Sequence, residues 1–183
     1  MDLQGQDNSQ NSEISFGGEN SEIVSDTILN PMKDFNFSDD ISTSHIKICG
    51  GTVFCPEGKQ DSLDLGLKLE ERLHNIHLPS KICIGISGCG NRCAESCVKD
   101  IGIVGMEDGW DIFVGGNTRA ETKRAWPLAR DLSTRRVLEV IDKIIALFKT
   151  GYKDKKQLAA LIESIGFENF KTKVLGQNKT PNK

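Results

Sequence analysis

The sequence predicts an α+β domain in which one sheet carries helices on a single face. Four short apolar or alternating segments are typical of strands, and three longer stretches carry apolar side chains at helical spacing. Their order along the chain, βαβββαα, keeps three strands together instead of alternating each strand with a helix. About 130 residues lie between two polar ends, which is a usual size for one domain with its own core.

The predicted strands occupy residues 45–49, 81–86, 101–104 and 110–114. Between the first two, residues 61–76 fit both a strand, because leucines alternate, and a helix, because apolar residues also recur at helical spacing. We predict a helix, since residues 68–73 are strong helix formers and Asp61 or Ser62 can cap its start. Pro79 ends it.

Two more helices are predicted after the strands. The first begins after Ser133 or Thr134, either of which can cap it, and ends near Gly151. Its buried stripe comprises Val137, Val140, Ile141, Ile144, Ile145 and Phe148. The second helix begins at Asp154, and Gly166 lies just past its end.

The two ends of the chain differ in composition from the middle. Residues 1–45 contain nine carboxylates against the single Lys33, whereas the rest of the chain has 22 basic and 17 acidic side chains. Such a segment buries too little apolar surface to offset the entropy of ordering it. We therefore predict an acidic, mostly disordered arm over 1–45, a domain over 46–175 and a disordered tail over 176–183.

Composition excludes several classes of protein. No apolar run approaches the roughly 18 to 20 residues that span a bilayer, so an integral membrane protein is not expected. A formal net charge of −3 argues against nucleic-acid binding, which needs clustered basic residues. The first residues show no secretory signal, and we predict a cytoplasmic protein, in which thiols stay reduced.

Four of the six cysteines form two pairs. Cys49 and Cys55 are separated by five residues, and Cys89 and Cys93 by three. A 4Fe-4S cluster needs four thiolates that converge from different directions, which two loops with two ligands each can supply. We therefore predict that these four cysteines bind a 4Fe-4S cluster.

The second pair lies in a glycine-rich segment, which we interpret as a strand end, a glycine loop and the opening of a short helix. That helix would place Cys89 and Cys93 about one turn apart. Glycines on either side of Cys89 would let the backbone approach the inorganic sulfurs of the cluster. The Asn91 amide could donate a hydrogen bond to a sulfur and tune its potential.

Other interpretations of the cysteines stay open. Zinc also binds four cysteines, although its structural sites favour shorter spacings than the first pair has. A disulfide framework is disfavoured by a reducing compartment, and simple core cysteines are disfavoured by the neighbouring glycines. Cys83 is predicted to be a small buried hydrophobe and Cys97 either core or close to the cluster, and neither is predicted as a ligand.

Together these motifs resemble the 4Fe-4S and sirohaem domain of nitrite and sulfite reductases. The resemblance covers residues 46 to about 175 and rests on both cysteine pairs, on their separation and on the segments that flank them. The flanking segments are Ser87-Gly88-Cys89-Gly90-Asn91-Arg92-Cys93, Asp100-Ile101-Gly102-Ile103-Val104-Gly105 and Gly115-Gly116-Asn117.

The resemblance implies a small mixed sheet flanked by helices, a 4Fe-4S cluster and an adjacent sirohaem. In the family the last cysteine of the set bridges the two groups, which implies that Cys93 is the proximal ligand of the sirohaem iron. Family members reduce sulfite or nitrite by six electrons. The implied partners are this small anion, an electron-donor protein or reductase subunit, and a second copy of the chain.

The sequence departs from the family before the first cysteine. Family enzymes take most of their substrate-binding cations from a ferredoxin-like module there, where this chain has 45 mostly acidic residues. A basic run follows the Gly115-Gly116-Asn117 turn: Arg119, Lys123, Arg124, Arg130, Arg135 and Arg136. We interpret the run first as a solvated face. The other interpretation is a site for sirohaem carboxylates, with Arg124 as its candidate.

Two further functional hypotheses remain. The chain could be an electron-transfer protein that binds the cluster without sirohaem, with the acidic arm covering the sirohaem position. It could also be a zinc-stabilised binding module without redox chemistry.

Overall fold

The computed structural model describes residues 44–118, 122–151 and 157–176. Five strands form one sheet in the same order as in the sequence. They are β1 (Ser44–Ile48), β2 (Ile82–Ser87), β3 (Ile101–Gly105), β4 (Trp110–Val114) and β5 (Trp126–Leu132). The first three strands run parallel, whereas β4 and β5 are antiparallel to their neighbours. The sheet is therefore mixed.

Five helices accompany the sheet in the described residues. They are α1 (Gly51–Phe54), α2 (Ser62–Leu73), α3 (Thr134–Gly151), α4 (Leu158–Ile165) and α5 (Phe167–Leu175). No helix in the described part of the chain is long and apolar enough to cross a membrane. The predicted α+β class, with a mixed sheet and flanking helices, is confirmed.

One face of the sheet and the helices share the main core. The inward residues of β2 and β3 alternate with residues that point to the opposite face, as the pleat requires. The fully buried core side chains from the sheet and from α3 are Ile82, Ile84, Ile86, Ile101, Ile103, Ile112, Val114, Val137, Val140, Ile141, Ile144 and Phe148. The helices therefore do not cover the second face of the sheet, where another segment of the chain can pack.

Two of the three predicted helix starts are confirmed by capping bonds. The Asp61 carboxylate accepts hydrogen bonds from the backbone N–H groups of Leu63 and Asp64 at 3.1 and 3.0 Å. The Ser133 hydroxyl oxygen accepts from the N–H of Arg136 at 3.3 Å. These bonds satisfy backbone donors that a helix start leaves without partners.

Three elements were not predicted. β5 contains Pro127, Arg130 and Asp131, which suit a sheet edge but hide the strand pattern, and Arg130 therefore belongs to a strand rather than only to a basic run. The single turn α1 is too short to show a period. Gly166 ends α4 as predicted, but α5 begins directly after it.

Some predictions concern residues outside the described ranges. These are the acidic arm up to residue 43, the tail from residue 177, Asp154 as a helix start and Arg119 of the basic run.

Candidate metal centre

The two cysteine pairs follow neighbouring parallel strands. Cys49 comes directly after β1, and Cys89 comes two residues after the end of β2. Parallel neighbours have their carboxyl ends at the same sheet edge, so the two loops begin side by side. The backbone N–H of Cys49 continues the pairing by donating to the carbonyl of Ile86 at 3.0 Å. The structure thus brings together the two loops that the sequence predicted to meet.

The first loop folds around Gly88 of the second. Its residues Lys59 and Gln60 donate backbone hydrogen bonds to the Gly88 carbonyl at 2.8 and 3.0 Å. A Cβ atom added to Gly88 would lie 2.7 Å from the Cα of Gly51, and one added to Gly58 would lie 2.6 Å from the Gly51 carbonyl carbon. Three glycines therefore permit backbone to pack on backbone where the loops cross.

The helical turn α1 shortens the path between Cys49 and Cys55. Gly51 has a φ of 53°, in the left-handed region that favours glycine, and the turn of helix follows at once. The N–H of Cys55 donates to the Gly51 carbonyl at 3.0 Å. One helical turn thus brings Cys55 back towards the start of the loop, and the five intervening residues need no extended excursion.

The second loop lies on the sheet face that the helices leave open. A Cβ added to Gly85 of β2 would lie 2.5 Å from the carbonyl oxygen of Ala94, and one added to Gly102 of β3 would collide with the carbonyl of Ser96. Gly85 and Gly102 are register partners on adjacent strands. Together they form a strip without side chains, onto which the backbone of the loop packs.

Two buried serines fasten this loop to β2. The hydroxyls of Ser87 and Ser96 lie 2.8 Å apart, and the Ser87 oxygen accepts from the N–H of Ala94 at 3.1 Å. Ser96 Oγ also lies 3.0 Å from the carbonyl oxygen of Gly85. Since both serines are almost fully buried, these bonds replace hydration that the hydroxyls lose on folding.

The short helix predicted after Cys89 is wrong. The segment instead forms three successive turns, in which the N–H groups of Arg92, Glu95 and Val98 each donate to the carbonyl three residues earlier. Arg92 and Glu95 have φ values of 55° and 59°, and a right-handed helix cannot pass through such residues. The spacing of Cys89 and Cys93 is therefore set by one tight turn.

The sulfur of Cys49 has polar neighbours from both the second loop and α2. The backbone N–H of Gly88 donates to Cys49 Sγ at 3.0 Å, and the hydroxyl oxygen of Ser62 lies 3.5 Å from the same sulfur. Burial disfavours the charged thiolate, but the hydrogen bonds from Ser62 and Gly88 outweigh it and lower the pKa of the Cys49 thiol. The thiolate is the form that binds metal.

All six cysteines are free thiols. Cys89 is buried, Cys93 is exposed, and the other four have intermediate exposure, including Cys83, which was predicted to be buried. Among the described residues, no three His, Cys, Asp or Glu side chains lie close enough to hold a single metal ion.

Arg92 is a residue that sequence reasoning missed. Its guanidinium carbon lies 5.5 Å from the centroid of the Phe113 ring, and its Nε is buried without a hydrogen-bond partner in the described part of the chain. A buried donor without an acceptor costs about 1 to 3 kcal/mol. A signal was available in the sequence, because Arg92 is the only cation between the two cysteines of the second pair.

The other predicted cofactor contacts are exposed. Asn91 lies at the tip of the second loop. Arg124 precedes Ala125, whose N–H donates to the Cys97 carbonyl at 2.7 Å. In the rest of the basic run, Lys123 pairs with Glu163 at 2.7 Å. Two later members, Arg135 and Arg136, both pair with Glu139, at 3.1 and 2.9 Å. These pairs favour the interpretation of a solvated, ion-paired face.

The donor set fits an anionic iron-sulfur cluster. Four thiols lie on two loops that meet, and a backbone N–H already points at one sulfur. The buried Nε of Arg92 in the second loop has no acceptor among residues 44–118, 122–151 and 157–176. A Cβ added to Gly90 would meet no described residue within 4 Å. Cysteine thiolates are the ligands that hold 4Fe-4S clusters.

A family model described as the nitrite and sulphite reductase 4Fe-4S domain matches residues 41–182. The chain belongs to this family. The resemblance predicted from the cysteine pairs and their flanking segments is thereby confirmed, and the family supports an iron-sulfur cluster as the bound group.

Individual proteins agree with this membership. The chain is 33% identical over 137 residues to an assimilatory-type sulfite reductase of Nitratidesulfovibrio vulgaris, covering 75% of this chain and 63% of that protein. It is 32% identical over 124 residues to an NAD(P)H nitrite reductase of Bacillus subtilis, covering 68% of this chain and 15% of that protein. The chain therefore spans less than two thirds of the length of either relative.

The fold has a counterpart among solved structures. Dissimilatory sulfite reductase I superimposes with a TM-score of 0.64 and 14% sequence identity, over 76% of this chain and 53% of that one. At this identity the likeness concerns the fold, and it agrees with a mixed sheet flanked by helices.

Proposed function

We propose that this chain is the cofactor-bearing part of a sulfite or nitrite reductase, with Cys49, Cys55, Cys89 and Cys93 as ligands of a 4Fe-4S cluster. The observation that supports this most is the meeting of the two cysteine loops at the carboxyl edge of β1 and β2. That meeting occurs inside a domain whose family is named for a 4Fe-4S centre.

The chain prepares its thiols for an anionic cluster. Gly88 donates its N–H to the sulfur of Cys49, which favours the thiolate form that binds metal. Arg92 contributes a fixed positive charge in the second loop, which would lower the cost of a group that carries net negative charge. Both features favour retention of the cluster over loss of iron.

Cys93 is proposed to be shared with a sirohaem. It is the exposed member of the four cysteines, and an exposed sulfur can contact a group outside its own loop. When bound, the cluster and the sirohaem would supply the one-electron steps by which sulfite is reduced to sulfide or nitrite to ammonia. Asn91 and Arg124, both exposed, are the proposed donors to the cofactors.

The proposal also covers the organisation of the chain. Residues 46–175 would form the cofactor domain, residues 1–45 an acidic arm and residues 176–183 a tail. The cytoplasm would be its location, and an electron-donor protein or reductase subunit its partner. A second copy of the chain is a further proposed partner.

Anaerobic reconstitution with iron, sulfide and sirohaem tests the proposal. We expect iron and acid-labile sulfide in about equal amounts, together with the narrow absorption bands of a bound porphyrin. Cys93→Ser should lose these bands and most of the iron. Cys83→Ser is the matched control, because it changes a cysteine of intermediate exposure that lies in a strand.

Two results would contradict the assignment. Equal loss of iron in Cys93→Ser and Cys83→Ser would show that Cys93 is not a special ligand. One bound zinc without acid-labile sulfide would replace the redox function with a structural metal site.

A second candidate is an electron-transfer protein that binds the cluster without sirohaem. The pairing of Lys123, Arg135 and Arg136 with carboxylates favours it, because these cations are then less available to a carboxylated macrocycle. Such a protein would give the electron paramagnetic resonance signal of a reduced cluster. It would not oxidise a reduced dye when sulfite or nitrite is added.

A further inference from the structure

The Ser62 hydroxyl lies where the two ligand loops meet. Ser62 is the first residue of α2 and is fully buried. Its Oγ is 2.8 Å from the carbonyl oxygen of Cys49 and 3.5 Å from the sulfur of the same residue. A Cβ added to Gly51 would collide with this oxygen, and one added to Gly88 would lie 3.4 Å from it. Both loops therefore confine the hydroxyl.

The Ser62 hydroxyl has only one proton, so it can donate fully to only one of its two neighbours on Cys49. A serine hydroxyl has one proton to donate, and both the Cys49 carbonyl and the Cys49 sulfur are acceptors. A cysteine that binds iron is a thiolate without a proton, so across the 3.5 Å contact only Ser62 can then donate. The Cys49 carbonyl oxygen, at 2.8 Å, is the closer acceptor of the Ser62 proton, and the Cys49 sulfur, at 3.5 Å, is the more distant one.

We propose that Ser62 tunes the reduction potential of the cluster by turning its hydroxyl proton from the Cys49 carbonyl towards the Cys49 sulfur when the cluster is reduced. This inference rests on the proposed function, because it requires a cluster bound through Cys49. In the step, one electron from an external reductant enters the cluster, no covalent bond breaks, and the proton stays on Ser62.

The direction of the effect follows from charge. Reduction adds negative charge to the cluster and its thiolates, so a donor to sulfur stabilises the reduced form more than the oxidised form. Gly88 already donates to the same sulfur from a fixed backbone position. Ser62 differs from Gly88 in that its donor can rotate and therefore respond to the electron.

The test is a redox titration of the reconstituted full chain, followed by the electron paramagnetic resonance signal of the reduced cluster. Ser62→Ala should lower the potential. A tenfold change in the reduction equilibrium is the expected size, which corresponds to about 59 mV for a one-electron couple. Ser62→Thr keeps the hydroxyl and should restore a potential close to that of the wild type.

Ser87→Ala is the matched control. Ser87 is as buried as Ser62, and its hydroxyl bonds to Ser96 and Ala94 of the second loop and not to a sulfur. The control therefore removes a buried hydroxyl with a structural role and should leave the potential unchanged. Deuterium coupling of the reduced cluster in heavy water adds a direct readout, because Ser62→Ala should remove one exchangeable deuteron near the sulfur.

The outcomes separate the two proposals. A wild-type chain that binds neither iron nor sulfide after reconstitution overturns both. A bound cluster whose potential is the same in wild type and Ser62→Ala overturns the role of Ser62 and leaves the cluster assignment standing. Equal shifts in Ser62→Ala and Ser87→Ala would also overturn it, since the effect would then arise from general loosening of the loops.

Discussion

Replacing Gly102 with alanine should push the second cysteine loop off the sheet. Gly102 lies in β3, opposite Gly85 of β2, and the carbonyl of Ser96 packs directly against it. The added Cβ would collide with the oxygen of that carbonyl and lie 2.6 Å from its carbon. Ordinary contact begins at 3.4 Å, so the carbon alone requires a movement of 0.8 Å, and the closer oxygen requires the backbone of the loop to move further than that.

The cost has two parts. Overpacking in a well-packed interior costs about 1 to 3 kcal/mol. The required movement also strains the bonds from Ser96 Oγ to the carbonyl oxygens of Gly85 and Ile103, now 3.0 and 3.2 Å long. Each buried bond that breaks adds about 1 kcal/mol or more. We expect a loss of about 2 to 4 kcal/mol, a large fraction of the 5 to 15 kcal/mol that stabilises a typical domain.

Urea unfolding of the metal-free protein measures this loss, and reconstitution measures iron binding. Gly90→Ala is the matched control in the same loop, because its added Cβ would meet nothing within 4 Å. It should change the free energy of unfolding by less than about 1 kcal/mol. If Gly102→Ala unfolded at the same urea concentration as the wild type and bound as much iron, the packing of the loop on the sheet would be refuted.

Three further substitutions test other features. Gly66→Ala should cost about 1 to 3 kcal/mol, because the added Cβ would overlap Cδ1 of Ile48 and lie 2.8 Å from its Cγ1, next to the branch of that side chain. Unchanged stability in urea unfolding would contradict this. Asp61→Ala should cost about 1 kcal/mol in the same assay, since two backbone N–H groups of α2 lose their cap. A hydrogen bond from Arg136 lowers the pKa of Glu139, so its contribution to stability is present at neutral pH and is lost as the pH falls through that lowered pKa. Melting temperatures of wild type and Glu139→Gln should therefore converge in acid, and a constant gap would show that the ion pair is not responsible.

The sequence predicted correctly those elements whose residue pattern does not depend on their position in the fold. The strand at residues 110–114 was placed correctly because aromatic and branched residues alternate there between two turns. The start of α2 was predictable because an aspartate stands before a run of good helix formers. β5 was not predictable in this way, since its charged residues and Pro127 are tolerated only because the strand lies at the sheet edge.

For the candidate site too, local sequence patterns predicted some features, and other features depend on the fold. The spacing of the cysteines and the glycines beside them indicated which residues to consider, but nothing local shows that Ser62 would lie beside Cys49. That contact depends on α2 starting where the two loops cross. The helix predicted after Cys89 failed because the left-handed residues Arg92 and Glu95 are not glycines, and only the packing of the turns on the sheet reveals them.

The position of the second cysteine loop is determined mainly by the sheet beneath it. The ion pair of Glu95 with Lys47 is nearly half exposed and contributes little, whereas the pair of Glu95 with Lys99 is partly buried. What remains is contact of the backbone with the glycine strip of β2 and β3, together with the buried hydroxyls of Ser87 and Ser96. Substitutions of Gly85 or Gly102 should therefore impair metal binding although no ligand changes, because this glycine strip determines where the second loop lies.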